Sequence, residues 1–217
     1  DLQALLKRPV AILNDTRCFA LSEANGGAGE GYSRVFGAIV GTGAAGGMCI
    51  DGTLFNQGLG MSGEYGHLPL SAYLQQKYQL PVLKCGCGLN GCVESYIAGP
   101  GVQTLYQHIT QSPKSAIEWA NDIKRGDEQA LKVLACYLDI LGETFAAISK
   151  SLHPEVIVLG GGLSLIDAIV EKLPDAIQTH LFSGFAVPDV KRAEFGDSSG
   201  VRGAAIIGSV HANSNAS

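Results

Sequence analysis

Four residues of the sequence could hold a metal ion between them: His67, Cys85, Cys87 and Cys92. Thiolate and imidazole ligands in this mix suit tetrahedral Zn²⁺. The glycines at 86, 88 and 91 would let the run Cys85-Gly86-Cys87-Gly88-Leu89-Asn90-Gly91-Cys92 curl around the ion. Three thiolates and one imidazole leave no open position for a substrate or an activated water, so such a zinc would be structural. The competing reading is a turn with incidental thiols and an unrelated histidine. Cys18, Cys49 and Cys136 stand in apolar surroundings and read as buried free thiols.

Two glycine clusters could approach a ligand. Gly41-Thr42-Gly43-Ala44-Ala45-Gly46-Gly47 is a turn whose backbone N–H groups and threonine hydroxyl could face an anion, although glycine-rich hairpins are commonly structural. It is neither a Walker loop nor a dinucleotide fingerprint. Gly160-Gly161-Gly162 follows an apolar run and resembles a phosphate- or nucleotide-type junction, with plain turn formation as the alternative. Asp15 is a candidate general base for an attacking hydroxyl, and equally a helix cap.

The elements that must carry these residues follow from patterning. Pro9–Leu13 reads as a short buried strand, with Asp15 at its carboxyl end and a helix over about 16–25. Val35–Val40 and Ala44–Ile50 read as a hairpin tipped by Gly41-Thr42-Gly43, with a second turn at Asp51-Gly52. The glycine-rich stretch 58–66 is a loop delivering Glu64 and His67. A helix is expected over 71–79, and a helical turn over Val93–Ala98 closed by Gly99-Pro100-Gly101. From Asp127 to His153, Leu131, Leu134, Leu138, Leu141, Phe145, Ile148 and Leu152 recur on one helical face. Val156–Leu159 is a strand running through the glycine triplet into a new helix. A strand near 187–194 and a helix over 200–211 complete the pattern.

The 217 residues are 46% hydrophobic and 16% charged, enough apolar content for a substantial core. Net charge is −5 and no basic run exceeds the pairs Lys7-Arg8, Lys124-Arg125 and Lys191-Arg192, so nucleic acid is not an expected partner. No apolar stretch approaches the ~20 residues that span a bilayer, and Asp1-Leu2-Gln3 lacks signal-peptide character. The expected address is the cytoplasm, with no membrane partner.

Taken together, Val40-Gly41-Thr42-Gly43-Ala44-Ala45-Gly46-Gly47, Gly52 and Gly63-Glu64-Tyr65-Gly66-His67 resemble the signature of the ROK family (repressors, open reading frames and kinases). Cys85 through Cys92 with Val93-Glu94-Ser95-Tyr96 resembles its zinc loop. The likeness runs from Asn14-Asp15 through Val158–Ser164 to Gly200–Ala205. It is closest to the members that phosphorylate N-acetylglucosamine, which share the long insert between His67 and Cys85, Leu105–His108 and the helix start at Gly126–Ala130.

The resemblance implies an α/β, actin-like or hexokinase-type ATPase fold with a ribonuclease H-like motif. The chain 1–217 would be mainly the larger, carboxyl-terminal lobe, about two-thirds of such a kinase. It would include a zinc loop (85–94), an adenosine-side strand-turn-helix (155–172) and a carboxyl-terminal helix (200–211). It also implies ATP-dependent phosphorylation of the 6-hydroxyl of N-acetylglucosamine in amino-sugar salvage. Asp15 would be the base, with Asn14, Glu64, His67 and Glu94 as sugar contacts. Thr42 and Gly43 would approach the transferred phosphate, and Gly161 and Gly162 the adenosine. His67, Cys85, Cys87 and Cys92 would hold zinc, and ATP would come with Mg²⁺. No Asp-Gly-Gly-Thr-like phosphate turn precedes Pro9, so this segment is expected to be inactive by itself. A homodimer is left open. A kinase for glucose, fructose or N-acetylmannosamine, a sugar-responsive repressor of the same family, and a zinc-dependent interaction module are the competing readings.

Overall fold

The computed structural model describes residues 2–56 and 60–214. In chain order the elements are α1 (Leu2–Leu6), α2 (Asp15–Ala24), β1 (Arg34–Val40), β2 (Ala44–Ile50), β3 (Thr53–Leu54), α3 (Ala72–Tyr78), α4 (Glu94–Ile97) and α5 (Gly99–Thr110). They continue with α6 (Ala116–Lys124), α7 (Glu128–Leu152), β4 (Val156–Gly160), α8 (Asp167–Thr179), β5 (Asp189–Arg192) and α9 (Ser199–Ser214). The five strands form one sheet in the order β3-β2-β1-β4-β5. β1 pairs antiparallel with β2 and parallel with β4, and β4 pairs parallel with β5.

Alternation along the strands divides the core in two. Val35, Val156 and Val158 pack with Phe19, Ala20 and Leu21 of α2 on one face, and Ile206 and Ile207 of α9 join them. Phe36, Ala38, Val40, Ile157 and Leu159 point to the other face, against α7 and its neighbours. The period of two in a strand places successive side chains on opposite faces, and here both faces are covered. α2 lies so close to the sheet that a Cβ on Gly37 would stand 2.6 Å from Ala20 Cα.

Several expectations hold. The 16–25 helix, both hairpin strands, the 71–79 helix, β4 and the last strand and helix are present. The long helix is α7, entered at Asp127, whose side chain accepts from the Ala130 N–H, and left at His153 in a left-handed conformation (φ 47°). Of its expected apolar face, Leu134, Leu138, Leu141, Phe145 and Ile148 are buried, but Leu131 in its first turn is exposed. Cys18, Cys49 and Cys136 are buried free thiols, and burial pushes Cys49 and Cys136 up to about 12. Among the described residues no helix is long and apolar enough to cross a membrane.

Four expectations fail. Pro9–Leu13 forms no strand, and Ile12 is 89% exposed. A strand needs a neighbour's N–H and C=O groups, and this sheet ends at β3 and β5 without reaching that segment. Asp15 therefore stands at the first turn of α2 and not at a strand's end. Gly99-Pro100-Gly101 does not close a helix but opens α5, because proline fits a first helical turn whose N–H groups have no intrahelical partner. α8 does not follow the glycine triplet directly, since a 3₁₀ turn over Gly162–Leu165 intervenes. Part of the 58–66 loop lies outside the described residues.

Candidate active site and metal centre

The side-chain donors of His67, Cys85, Cys87 and Cys92 all lie within 4.8 Å of one another. Cys85 Sγ is 3.7 Å from His67 Nδ1, and Cys87 Sγ is 3.7 Å from Cys92 Sγ. Tetrahedral zinc with Zn–S bonds of ~2.3 Å needs donors about 3.6–3.8 Å apart, so these pairs are already at coordinating separation. Backbone hydrogen bonds also join the two segments. Leu70 N–H donates to Gly91 O at 2.8 Å and Val93 N–H to Leu68 O at 2.9 Å, on either side of the bridge between Pro69 and Cys92. Burial and the two neighbouring thiols push Cys92 up to about 12, whereas a backbone hydrogen bond at Leu89 holds Cys87 lower than usual. A divalent cation would take the place of the thiol protons.

His67 turns its two nitrogens to different tasks. Nδ1 faces the thiols, while Nε2 lies 3.9 Å from Glu64 Oε2, too far for a hydrogen bond. Tyr65, between those two residues, is buried, and its hydroxyl donates to Ile39 O at 2.7 Å, fixing this 3₁₀ turn against β1.

Glu94 follows the cysteine loop as the first residue of α4. Its Oε2 accepts from Ala44 N–H at 2.9 Å, and its Oε1 is 3.8 Å from Cys85 Sγ. A Cβ on Gly43 would stand 3.0 Å from Glu94 Oε2, so the carboxylate rests against the hairpin tip. The tip also meets α5, where Gly99 N–H donates to Gly41 O at 2.7 Å. On its other flank is Gly161, whose φ of +82° and whose absent Cβ, only 2.5 Å from Val40 O if present, make glycine the residue that fits.

Two cavities open from this junction. One, of 320 Å³, is lined by Lys84, Cys85, Glu94, Ser95 and Thr104 together with Thr42. The other, of 540 Å³, is lined by Gly162, Leu163 and Ile166, by α6, and again by Thr42. Thr42 thus stands where both cavities meet.

Asn14 and Asp15 reach the same end of the sheet by a different route. Asn14 caps α2, its Oδ1 accepting from Thr16 N–H at 2.9 Å and Thr16 Oγ1 at 2.6 Å. Thr16 Oγ1 lies 3.3 Å from Gly46 O, and Gly46 N–H donates to Gly63 O at 2.8 Å, next to Glu64. Asp15 itself is exposed, with Oδ1 2.9 Å from Thr16 N. The α6 residues of the larger cavity were not anticipated. Ser115 and Glu118 form a capping box there, and that Ser-x-x-Glu spacing is the signal that marks the helix.

The sequence profile of the ROK family matches residues 1–210. The N-acetylgalactosamine kinase AgaK of Shewanella sp. (strain ANA-3) is 49% identical over 208 residues, 96% of this chain and 68% of that protein. The N-acetyl-D-glucosamine kinase of Vibrio cholerae is 39% identical over 209 residues, 95% of this chain and 69% of that protein. Among solved structures, the ROK hexokinase from Thermus thermophilus superposes with a TM-score of 0.82 at 31% identity, covering 99% of this chain and 68% of that one.

Proposed function

The chain belongs to the ROK family, and on that premise we propose that it transfers the γ-phosphate of ATP to the 6-hydroxyl of N-acetyl-D-glucosamine, giving N-acetylglucosamine 6-phosphate for amino-sugar salvage. The observation that carries the reading is Thr42, which lines both cavities. A group transferred from a donor in one cavity to an acceptor in the other has to pass this hydroxyl and the N–H groups around it. Phosphoryl transfer depends chiefly on positioning and charge stabilisation, and a shared hairpin tip supplies positioning.

In this reading Asp15 accepts the proton of the sugar hydroxyl, and Asn14, Glu64, His67 and Glu94 bind the other hydroxyls. Thr42 and Gly43 hold the phosphate in transit, and Gly161 and Gly162 lie beside the adenosine. ATP would bring Mg²⁺, which neutralises developing charge on the phosphate oxygens. His67, Cys85, Cys87 and Cys92 would hold zinc, which fixes Nδ1 of His67 and leaves Nε2 for the sugar.

A second reading is N-acetylgalactosamine as acceptor, favoured by the 49% identity to a kinase named for that sugar. The two sugars differ only in the configuration of one ring hydroxyl, a choice made by loop detail and not by the shared motifs. A panel of N-acetylglucosamine, N-acetylgalactosamine, N-acetylmannosamine, glucose and fructose, offered with ATP and Mg²⁺ to the full-length protein, separates these readings. The proposal fails if no amino-sugar is phosphorylated faster than glucose.

A further inference from the structure

Phosphoryl transfer leaves the acceptor with a charge it did not bring. A phosphate monoester carries about −1.5 to −2 at pH 7. The free sugar is neutral, and the side chains placed around it in the kinase reading include the carboxylates of Asp15, Glu64 and Glu94. Such a site repels its own product unless a cation answers the new charge. Among the described residues that line the 320 Å³ cavity, Lys84 is the one cation and Glu94 the one carboxylate.

The backbone of Lys84 is fixed while its ammonium is uncommitted. The residue bridges to Asn90, flanked by Gly91 N–H donating to Leu83 O at 2.7 Å and Cys85 N–H donating to Leu89 O at 2.8 Å. Buried Tyr96 secures the preceding segment, its hydroxyl accepting from Leu83 N–H at 3.2 Å and donating to Pro81 O at 2.6 Å. Yet none of the ion pairs among the described residues uses Lys84, whereas Lys77 and Lys114 are tied to Asp139 and Asp122. Glu94 does not claim it, since its Oε2 accepts from Ala44 N–H and its Oε1 lies beside Cys85. A lysine ammonium is a compact point charge suited to phosphate. Thr42, Ser95 and Thr104 line the same cavity, and their hydroxyls can donate to phosphate oxygens.

We propose that Lys84 is the counter-ion of the phosphorylated product, its ammonium meeting the phosphate of the sugar phosphate while the Thr42 hydroxyl donates to the same group. Lys84 thereby makes the cavity distinguish a sugar phosphate from the free sugar, and it sets how fast the product leaves. This rests on the kinase reading, which puts the acceptor in this cavity with its reacting oxygen at Thr42.

The test is equilibrium binding of N-acetylglucosamine 6-phosphate and of N-acetylglucosamine to the full-length protein without nucleotide, with the N-acetylgalactosamine pair run beside them. Lys84→Met should weaken binding of the sugar phosphate about tenfold, as expected for losing one charge-assisted hydrogen bond, and leave the free sugar within about twofold. Lys84→Arg, which keeps the charge, should retain most of the affinity. At about 1 M salt, where the Debye length falls to about 3 Å, the difference between wild type and Lys84→Met should shrink. In turnover, Lys84→Met should relieve inhibition by added sugar phosphate. A lysine that merely braced the cysteine loop would, on removal, weaken both ligands alike, and that result overturns the proposal. So does an unchanged sugar phosphate affinity in Lys84→Met, or a wild type that binds neither sugar phosphate. If sugar is phosphorylated and Lys84 makes no difference, the kinase reading stands without it. If a sugar phosphate binds through Lys84 but no sugar is phosphorylated, the kinase reading falls and the Lys84 site stands.

Discussion

Glu94 Oε2 accepts a hydrogen bond from Ala44 N–H at 2.9 Å, joining the residue that leaves the cysteine loop to the first residue of β2. The contact couples the candidate metal centre to the Gly41–Gly43 hairpin through one carboxylate. In Glu94→Gln the amide oxygen can still accept from Ala44, so the fold should be retained. Replacing a charged acceptor by a neutral one should weaken sugar binding roughly tenfold. Calorimetric titration with N-acetylglucosamine checks this, and an unchanged affinity would remove Glu94 from the sugar site.

Asp15→Asn should abolish turnover in the full-length protein while sugar binding remains measurable, since the amide keeps the shape and cannot accept a proton. The loss in kcat should be about 10²–10⁴-fold. Near-normal turnover would exclude Asp15 as the base. Its place beside the Asn14 cap offers no structural reason for the substitution to unfold α2.

Purified protein should contain one zinc per chain, and removing it with a chelator should lower Tm by about 10 °C or more. Cys92→Ser should do the same without chelator. Elemental analysis and thermal melts decide the matter. A metal-free protein whose melting ignores chelator contradicts the site.

Asp139 stands largely buried on α7 and accepts from Lys77 Nζ at 2.6 Å and Tyr78 Oη at 2.7 Å, with His180 Nε2 at 2.7 Å. Burial raises its carboxyl, but these hydrogen bonds outweigh burial and bring it below the ordinary value. A lowered carboxylate stabilises the fold fully above the unfolded value of ~4, and that contribution is lost as pH falls through the folded value. Asp139→Asn should therefore cost about 2 kcal/mol at pH 7. The cost should shrink as pH drops below about 4 in urea titrations of both proteins.

Glu23, on α2 and fully buried, accepts from the N–H groups of Ala28 at 3.0 Å, Glu194 at 3.0 Å and Phe195 at 3.2 Å, and from Ser199 Oγ at 2.6 Å. Glu23→Ala leaves those donors buried without an acceptor and should cost about 3 kcal/mol or more. Glu23→Gln, which keeps one acceptor oxygen, should cost less. Denaturant midpoints of the two variants compare them directly.

What could be read in advance divides along physical lines. The hairpin tip at Gly41–Gly43 and the long α7 were legible because glycine clusters and a sustained 3.6 period are local signals. The clustering of His67, Cys85, Cys87 and Cys92 was legible because ligands of that type at that spacing narrow the options. Pro9–Leu13 misled because five apolar residues announce extended chain but carry no information about a neighbouring strand. Pro100 misled because proline suits either the end or the first turn of a helix, and only the docking of α5 against Gly41 decides. Asn14 is linked to the segment carrying Glu64 through the Thr16 hydroxyl, Gly46 and Gly63, long-range contacts that residue type and spacing do not reveal.

The Glu23 carboxylate also dictates an order of events during synthesis. Glu23 leaves the ribosome well before three of its four donors, which lie at 194–199. Until they arrive, a charged group destined for the interior has to remain hydrated, which keeps α2 from settling permanently onto the sheet. A nascent chain ending before residue 194 would therefore leave that carboxylate without three of its four donors, and the α2 face of the sheet without the contacts that complete it.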